Sequence, residues 1–441
     1  MARINLDSEG RVLPSLDSVL EKALAPKSRL LLQKIVKEAE KQSLPIYLVG
    51  GFVRDLLLGQ PSLDLDLVVE GDAIRFGRRL VQLFGGRLVP HKAFGTAVWW
   101  LPAPRKQQGK QLAFIDLISA RSEIYAQPAA LPQVMRAEIT ADQFRRDFTI
   151  NTLALALNGL QSGRVLDPWG GLRDLNSRLI RTLHPLSFIE DPTRIFRALR
   201  YARRLDFHIE TRSLRQLQSA LPKIKLLSGD RLRNELELVL AEGQRVEILQ
   251  ALQFFGVLSQ IDKQFRFPAK AAILLAQGNL KPAPGIWSLE DASVADLGFV
   301  LWFLHLPPKI AERIAPRLRF TADLHSAVVS APRLLAEAKD LRLMPPSRLV
   351  VRLEKEPMLA LYALFLEYKG KPLGKVLQNY AKLWRHVQPL TNGNALRKKG
   401  LKPGPAYKHI LSQLRAARLD GKVRTAKQES VLLEKLINEF R

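Results

Sequence analysis

The stretch that most constrains this chain is residues 47–72, YLVGGFVRDLLLGQPSLDLDLVVEGD, where a short apolar run breaks at two glycines and an Asp-x-Asp alternation follows. Ile46–Val49 is apolar and mostly β-prone, which predicts a buried strand. Gly50 and Gly51 let the backbone turn sharply and approach a ligand closely. Residues 52–58 then begin a helix whose free N–H groups face the turn, an arrangement suited to phosphate. Arg54 adds a guanidinium near the same anion. After Gly59-Gln60-Pro61 the period-two run puts Asp64 and Asp66 on one face of a strand and Leu65 and Leu67 on the other. Two carboxylates about 7 Å apart beside a phosphate-binding turn make a site for magnesium ions holding a nucleoside triphosphate. Singly, a Gly-Gly pair is a turn and an Asp-x-Asp a solvated edge. Their combination points to an enzyme site.

The chain has 441 residues, enough for two or more domains with substantial cores. Its hydrophobic and charged fractions are those of an ordinary globular protein, but 68 Lys+Arg against 42 Asp+Glu give a net charge of +26. That excess favours a polyanion partner, because cations that displace condensed counterions from a nucleic acid gain binding free energy. The lack of cysteine excludes disulfides, thiolate zinc sites and thiol catalysis. The seven histidines are scattered without ligand spacing and read as structural. The opening MARINLDSEG has no apolar signal core and no apolar run approaches membrane-spanning length, so a cytoplasmic protein with no membrane partner is expected.

Helical periodicity in residues 15–42 places Leu20, Leu30, Leu31 and Ile35 on core faces. Residues 71–84 also read as a helix, ended by Gly85-Gly86. β-type segments follow at 87–90, 97–101 and 112–118, with a polar, basic loop at 104–110. The head is therefore a small mixed sheet backed by helices. Asp116 is the one acid among apolar neighbours in what reads as a central strand. Burying an unpaired carboxylate costs several kcal/mol, so Asp116 needs a partner. A metal shared with Asp64 and Asp66 is the economical candidate, and a salt bridge is the structural alternative. Residues 120–142 show little periodicity and are broken by Pro128 and Pro132, which reads as a loop or mobile segment.

Three further motifs follow. In Arg145-Arg146-Asp147-Phe148-Thr149-Ile150-Asn151, two arginines beside an acid are suited to clamping triphosphate oxygens while the carboxylate fixes them. Residues 165–171, VLDPWGG, read as a turn closing the head. In IEDPTRIFRALRYARR, residues 189–204, Glu190 or Asp191 caps a helix with Pro192 in its first turn. Arg194, Arg197 and Arg200 then project from one side of that helix, as a solvated basic face or toward an anion. Residues 229–236 read as scaffolding, residues 267–288 as a linker, and residues 296–385 as Leu/Ala-rich core helices. Residues 397–427 hold many Lys and Arg, among them Arg397, Lys398, Lys399, Lys402 and Lys408, and a single acid, Asp420.

Taken together, the Gly-Gly/Asp-x-Asp stretch, RRDFTIN and EDxxR resemble the polymerase-β-type nucleotidyltransferase superfamily. More narrowly, they resemble the bacterial class II tRNA nucleotidyltransferases (CCA-adding enzymes) and poly(A) polymerases. The resemblance implies an α+β fold, with a nucleotidyltransferase head (1–182) followed by all-helical neck (183–265), body (266–385) and basic tail (386–441). It implies Asp64, Asp66 and a third acid, matched by Asp116, as catalytic ligands of two Mg²⁺ ions. Gly50, Gly51, Arg54, Arg146, Asp147, Arg197 and Arg200 become nucleotide-binding positions. Asp191 and Arg194 become a protein template for the incoming base, and the tail a grip on tRNA. Residues 120–142 sit where the family carries a flexible element implicated in switching from C to A addition, yet lack its glycine. The template chemistry follows independently. A carboxylate accepts and a guanidinium donates, which matches the adjacent amino donor and ring-nitrogen acceptor of cytosine or adenine and opposes guanine and uracil. The expected reaction is Mg-dependent addition of C and/or A from CTP and ATP to a tRNA 3′ end. A CC-only or A-only specialist, a poly(A) polymerase and a catalytically silent RNA-binding protein are the alternatives.

Overall fold

The computed structural model describes residues 5–6, 12–13, 15–60, 64–102, 112–130, 132–277 and 285–439. The loop expected at 104–110 lies outside them, as does Leu63 at the start of the expected strand. The chain divides into two compact units, Met1–Leu227 and Ser228–Arg441.

Unit 1 opens with the short pair β1 (Asn5–Leu6) and β2 (Val12–Leu13), then α1 (Leu16–Ala23) and α2 (Pro26–Lys41). Leu20 and Ile35 are buried as expected, but Leu30 is 53% exposed and Leu32 takes the core position. In the run Leu30-Leu31-Leu32 the sequence leaves the helix phase ambiguous. The fully buried Ile35 fixes it three residues after Leu32.

The sheet is built from β3 (Ile46–Val49), β4 (Asp66–Val69), β5 (Arg87–His91), β6 (Thr96–Trp100), β7 (Phe114–Ser119), β10 (Ala154–Ala156) and β11 (Val165–Leu166), in spatial order β11-β10-β3-β4-β7-β6-β5. Every pair is antiparallel except the central β4/β7, which is parallel. A parallel pair needs a long crossover, and α4 (Ala73–Phe84) lies within it. Asp72 caps α4 by accepting from Arg75 N, and Gly77 lets the helix settle on Leu88 and Leu117. The α3 helix (Gly51–Leu57) joins β3 to the turn before β4.

The segment 120–142 is not a loop. It forms the antiparallel hairpin β8 (Arg121–Ile124) and β9 (Gln133–Arg136), then starts α5 (Ile139–Phe144). Pro128 lies in the hairpin connection and Pro132 just before β9, where neither removes a ladder hydrogen bond. The remainder of unit 1 holds α6 (Gly171–Asn176), α7 (Ser187–Glu190), α8 (Thr193–Arg204) and α9 (Thr211–Ala220), with β12 (Leu179–Ile180) pairing β13 (His208–Ile209) in parallel. Phe148 packs between Phe188 and Tyr201, with ring centroids 6.4 and 6.0 Å away, seating α7 and α8 on the segment that follows α5.

Unit 2 is helical, from α10 (Gly229–Ala241) onward. After α11 (Arg245–Phe254) and α12 (Val257–Ile261), the stretch expected as a linker carries a helix instead, α13 (Ala269–Leu275). It packs on α14 (Val294–Leu304), which is buried continuously from Leu297 to Leu304. A helix apolar on all sides is stable only inside others. Here α10, α13, α16 (Ala322–Ala336) and α19 (Met358–Glu367) surround it, while α15 (Pro308–Arg317), α17 (Ala338–Leu343), α18 (Pro346–Leu353) and α20 (Pro372–Lys382) complete the body. The last three helices, α21 (Gly393–Lys398), α22 (Pro405–Leu419) and α23 (Ala426–Asn438), share a core of Leu396, Ile410, Leu414, Leu433, Leu436 and Ile437. Arg397, Lys398, Lys402 and Lys408 are exposed around that core, and Lys399 pairs with Glu434. No helix among the described residues is long and apolar enough to cross a membrane.

Candidate active site

At the end of β3 the chain turns at Gly50, whose φ of +67° lies where a side chain is strained. A methyl carbon there would stand 3.0 Å from Arg146 Nη1 and 3.6 Å from Asp66 Oδ2. The glycine therefore marks a narrow space between a guanidinium and a carboxylate. Asp66 and Asp116 are Cα partners across the parallel pair β4/β7, so their side chains leave the same face of the sheet. Leu65, Leu67 and Leu117 fill the opposite face. The strand proper starts at Asp66, with Asp64 exposed just ahead of it and the pairing continued by Asp116 N donating to Leu65 O.

These carboxylates disturb one another. Burial pushes Asp66 up to about 6; Arg146 opposes the rise, and Asp116 and Asp64 add to it. Burial and Asp64 also raise Asp116, against the pull of His91. A cation between these acids would relieve that repulsion. The donor set is entirely carboxylate oxygen, which suits Mg²⁺. No group of three or more acidic or histidine side chains among the described residues is already gathered into an ion cage. Magnesium does not need one, since it usually takes one or two carboxylates together with substrate phosphates and water.

The arginines of RRDFTIN are held by an acid the sequence reading did not single out. Asp142, fully buried, accepts from Arg145 Nε and Nη2 at 2.9 and 2.8 Å and from Arg146 Nε and Nη2 at 3.2 and 2.8 Å. Burial works against its charge, yet Arg146 and Arg145 hold it below the usual carboxylate range. The signal was present as D-x-x-R-R, the i,i+3 and i,i+4 spacing of helical ion pairs. Glu123 of the hairpin also reaches Arg145, 3.0 Å from its Nη1.

Asp147, expected to steady those two arginines, instead turns to α8. It accepts from Arg197 Nε at 2.6 Å and from Asn151 Nδ2 and Phe148 N, each at 2.9 Å. Burial is again overcome, here by Arg197 and Asn151, and the carboxyl stays low. Asn151 Oδ1 takes Arg54 Nη1 at 2.7 Å. Arg54 is only 2% exposed, with Nε on Asp55 at 2.7 Å and its guanidinium 5.1 Å from the Tyr201 ring. Arg54, expected near the anion, stands at the glycine turn, its Nη2 3.6 Å from where a Gly51 Cβ would be, and is braced there by these partners.

The arginine face of α8 is not a solvated one: Arg194 and Arg200 are buried. Asp191 Oδ1 accepts from Thr193 N and Oγ1 at 3.0 and 2.6 Å, which starts the helix. Arg194 is held on two sides, Nη1 on Ser187 Oγ and Nη2 on the Arg145 carbonyl, each at 2.7 Å. Arg194 is thereby fixed directly to the segment bearing Arg145 and Arg146. Asp167 of DPWGG accepts from Gly171 N and Leu172 N and caps α6, a structural role.

Comparison with known proteins gives consistent relatives. The family described as the poly A polymerase head domain matches residues 46–181. An A-adding tRNA nucleotidyltransferase of Halalkalibacterium halodurans is 32% identical over 402 residues, 89% of each chain. A CC-adding tRNA nucleotidyltransferase of Deinococcus radiodurans is 32% identical over 413 residues, 93% of this chain and 94% of that one. Against an A-adding enzyme of Geobacter sulfurreducens the identity is again 32%, over 90% of this chain, which spans only 46% of that longer protein. Among solved structures, a CCA-adding enzyme in its apo form II aligns over all of both chains at 28% identity with a TM-score of 0.74. The Thermotoga maritima CCA-adding enzyme complexed with tRNA aligns over the same extent, at 28% and 0.68.

Proposed function

The chain belongs to the tRNA nucleotidyltransferase family with a poly(A) polymerase head, and we propose that it adds C and/or A from CTP and ATP to the 3′ end of tRNA without a nucleic-acid template. The observation that carries this reading is the pairing of Asp66 with Asp116 beside Gly50 and Arg146. In the reaction the RNA 3′-hydroxyl oxygen attacks the α-phosphorus of the triphosphate. The new phosphodiester forms as the bond to pyrophosphate breaks, and the hydroxyl proton is lost. Asp64, Asp66 and Asp116 would hold the Mg²⁺ ions, which when bound activate the hydroxyl and neutralise the departing pyrophosphate.

The chain's own groups do the rest. Gly50 keeps the backbone close to the triphosphate, and Gly51 opens α3 beside it. Arg146, oriented by Asp142, offers a fixed guanidinium to the phosphates. Asp191 accepts from the exocyclic amine of C or A while Arg194 donates to the adjacent ring nitrogen. Each reversed group presented by G or U leaves a polar atom unsatisfied at roughly 1–3 kcal/mol. Arg197 and Asp147 support nucleotide binding by setting α8 against Asn151, which holds Arg54, and Arg200, stacked on Tyr201 of the same helix, assists them. Arg397, Lys398, Lys399, Lys402 and Lys408 grip tRNA phosphates. Specialist relatives of both kinds, A-adding and CC-adding, align with nearly the whole chain and favour a division of labour as the second reading.

Transcripts of tRNA ending before CCA, after C and after CC, each incubated with Mg²⁺ and CTP, ATP or both, decide the matter. CCA on the shortest transcript means a complete CCA-adding enzyme, arrest after CC means a CC specialist, and A on the CC end alone means its complement. A long A ladder on unrelated RNA means a poly(A) polymerase. No incorporation with any of them overturns the reading.

A further inference from the structure

The parallel strands β4 and β7 have two ends, and the chemistry above uses only one. Asp66 opens β4 and Val69 closes it, about 10 Å further along at a strand's rise. Beyond the closing end, where both parallel strands point their carboxyl termini and α4 begins, lies a concavity of about 360 Å³. Its lining carries five cations, Arg75, Arg78, Lys92, Arg121 and Arg136, against one acid, Asp72.

That acid is already engaged. Asp72 Oδ2 takes Arg136 Nη2 at 2.6 Å, and Oδ1 caps α4 through Arg75 N. Arg121 is tied to Glu123 at 2.9 Å and to the Phe94 carbonyl. Arg75, Arg78 and Lys92 remain exposed, with no carboxylate partner among the described residues. A basic surface can spread such charges apart, but here they ring a hollow and repel one another across it. Clefts lined by one sign of charge concentrate the field and draw in the opposite ion. In open α/β sheets ligands bind in the crevice outside the carboxyl ends of parallel strands, and β4/β7 is the one parallel pair of this mostly antiparallel sheet among the described residues. Phe94, half-buried, and Met135, 55% exposed, give the hollow an apolar wall beside the charges, suited to a sugar or base attached to the phosphate.

We propose that this hollow binds a phosphate group of the RNA backbone, a second RNA contact in unit 1 separate from the one that presents the 3′-hydroxyl. The proposal rests on the reading that RNA is the substrate. A free phosphate or pyrophosphate has the same chemistry, and the test separates the two sources. The full-length protein carrying Arg75→Glu, Arg78→Glu and Lys92→Glu is compared with wild type and with a control of equal charge, Lys22→Glu, Lys27→Glu and Lys37→Glu on exposed positions of α1 and α2. Affinity for a tRNA transcript is measured by filter retention between 50 and 200 mM salt, without triphosphate, so that no transfer step enters the result.

Each lost phosphate contact removes about 0.7–0.9 from the slope of log affinity on log salt. For the one phosphate held, the pocket variant should therefore flatten the slope by about 0.7–0.9, and the control by less than about 0.3. Calorimetric titration with inorganic phosphate and pyrophosphate forms the second arm. Binding of either by wild type, lost in the pocket variant while the RNA slope stays unchanged, would assign the site to a free anion and overturn the RNA contact. Equal flattening in both variants, or none in either arm, would overturn the site altogether. Retention that falls as expected in a protein that transfers no nucleotide would leave this contact standing and sink the reaction.

Discussion

Asp142→Asn is the most exacting perturbation of the site, because it keeps the side chain's shape and removes only a charge. The carboxylate is fully buried and both guanidiniums it holds are mostly so, with side-chain exposures of 15% at Arg145 and 12% at Arg146. In the variant one oxygen remains for Arg145, which also keeps Glu123. An amide nitrogen then faces the N–H groups of Arg146, donor against donor. Breaking a buried pair from one side costs about 3–5 kcal/mol. Partial exposure and the surviving Glu123 contact argue for the lower end, about 3 kcal/mol. For a folding unit of this size that is a fall in Tm of roughly 6–12 °C.

The pH dependence supplies a second check. Asp142 lies below its ordinary value in the folded chain, so its contribution is fully present above the unfolded carboxylate pKa, near 3.9, and is lost as pH falls through the depressed native value. Peptide-resolved hydrogen exchange on the full-length protein reads unit 1 separately from unit 2. The gap between wild type and variant should keep its full size from pH 7 down to about 4 and narrow as pH falls below that. An unaltered stability at pH 7, or a gap of constant size down to pH 3, would refute the reasoning.

Other expectations follow from the same geometry. Asp66 moves the opposite way: its folded value of about 6 exceeds the unfolded one, so its ionisation removes stability as pH rises from about 4 to 6, by about 3 kcal/mol in all. Asp66→Asn should therefore melt higher than wild type at pH 8 without Mg²⁺, by an amount that vanishes near pH 4, while nucleotide transfer is abolished; a lower melting point at pH 8 would contradict this. Gly50→Ala forces a Cβ to 3.0 Å from Arg146 Nη1 at a φ of +67° and should lower kcat/KM for the triphosphate by at least tenfold, as steady-state kinetics will show. Arg194→Lys removes the fork that joins Ser187 to the Arg145 carbonyl and should lose discrimination against UTP and GTP more than overall rate, measured as the ratio of kcat/KM values. Asp64→Ala should abolish transfer and leave tRNA retention within about twofold; lost retention would undercut its assignment as a metal ligand.

Much of this was legible in the sequence for local reasons. Strand periodicity, a glycine pair and an isolated acid identify β3, β4 and β7, and Pro192 with Asp191 marks where α8 starts. What stayed hidden depends on distant partners. The hairpin β8/β9 draws its register from pairs such as Ser122 with Met135, which no short window of sequence reveals, and its prolines read as breakers although they flank the ladder. The fate of Arg54 could not be read from its place beside two glycines, because Asn151, which takes its guanidinium, lies 97 residues away. The Asp142 spacing was visible but lost within a stretch already read as irregular. Residues 269–275 were masked as helix by the Pro- and Gly-rich sequence that follows them.

The link from Arg194 to the carbonyl of Arg145 has a consequence for how such a protein can evolve. The acceptor belongs to the peptide backbone, so no codon change at position 145 deletes it short of one that reshapes the chain. Substitution there can change the side chain that Asp142 and Glu123 hold while Arg194 keeps its anchor. If Arg194 selects the base as proposed, a change of nucleotide preference has to come from what surrounds it, and the hairpin, whose Ala129 N donates to Glu190 O next to Asp191, is one neighbour in contact with that helix start.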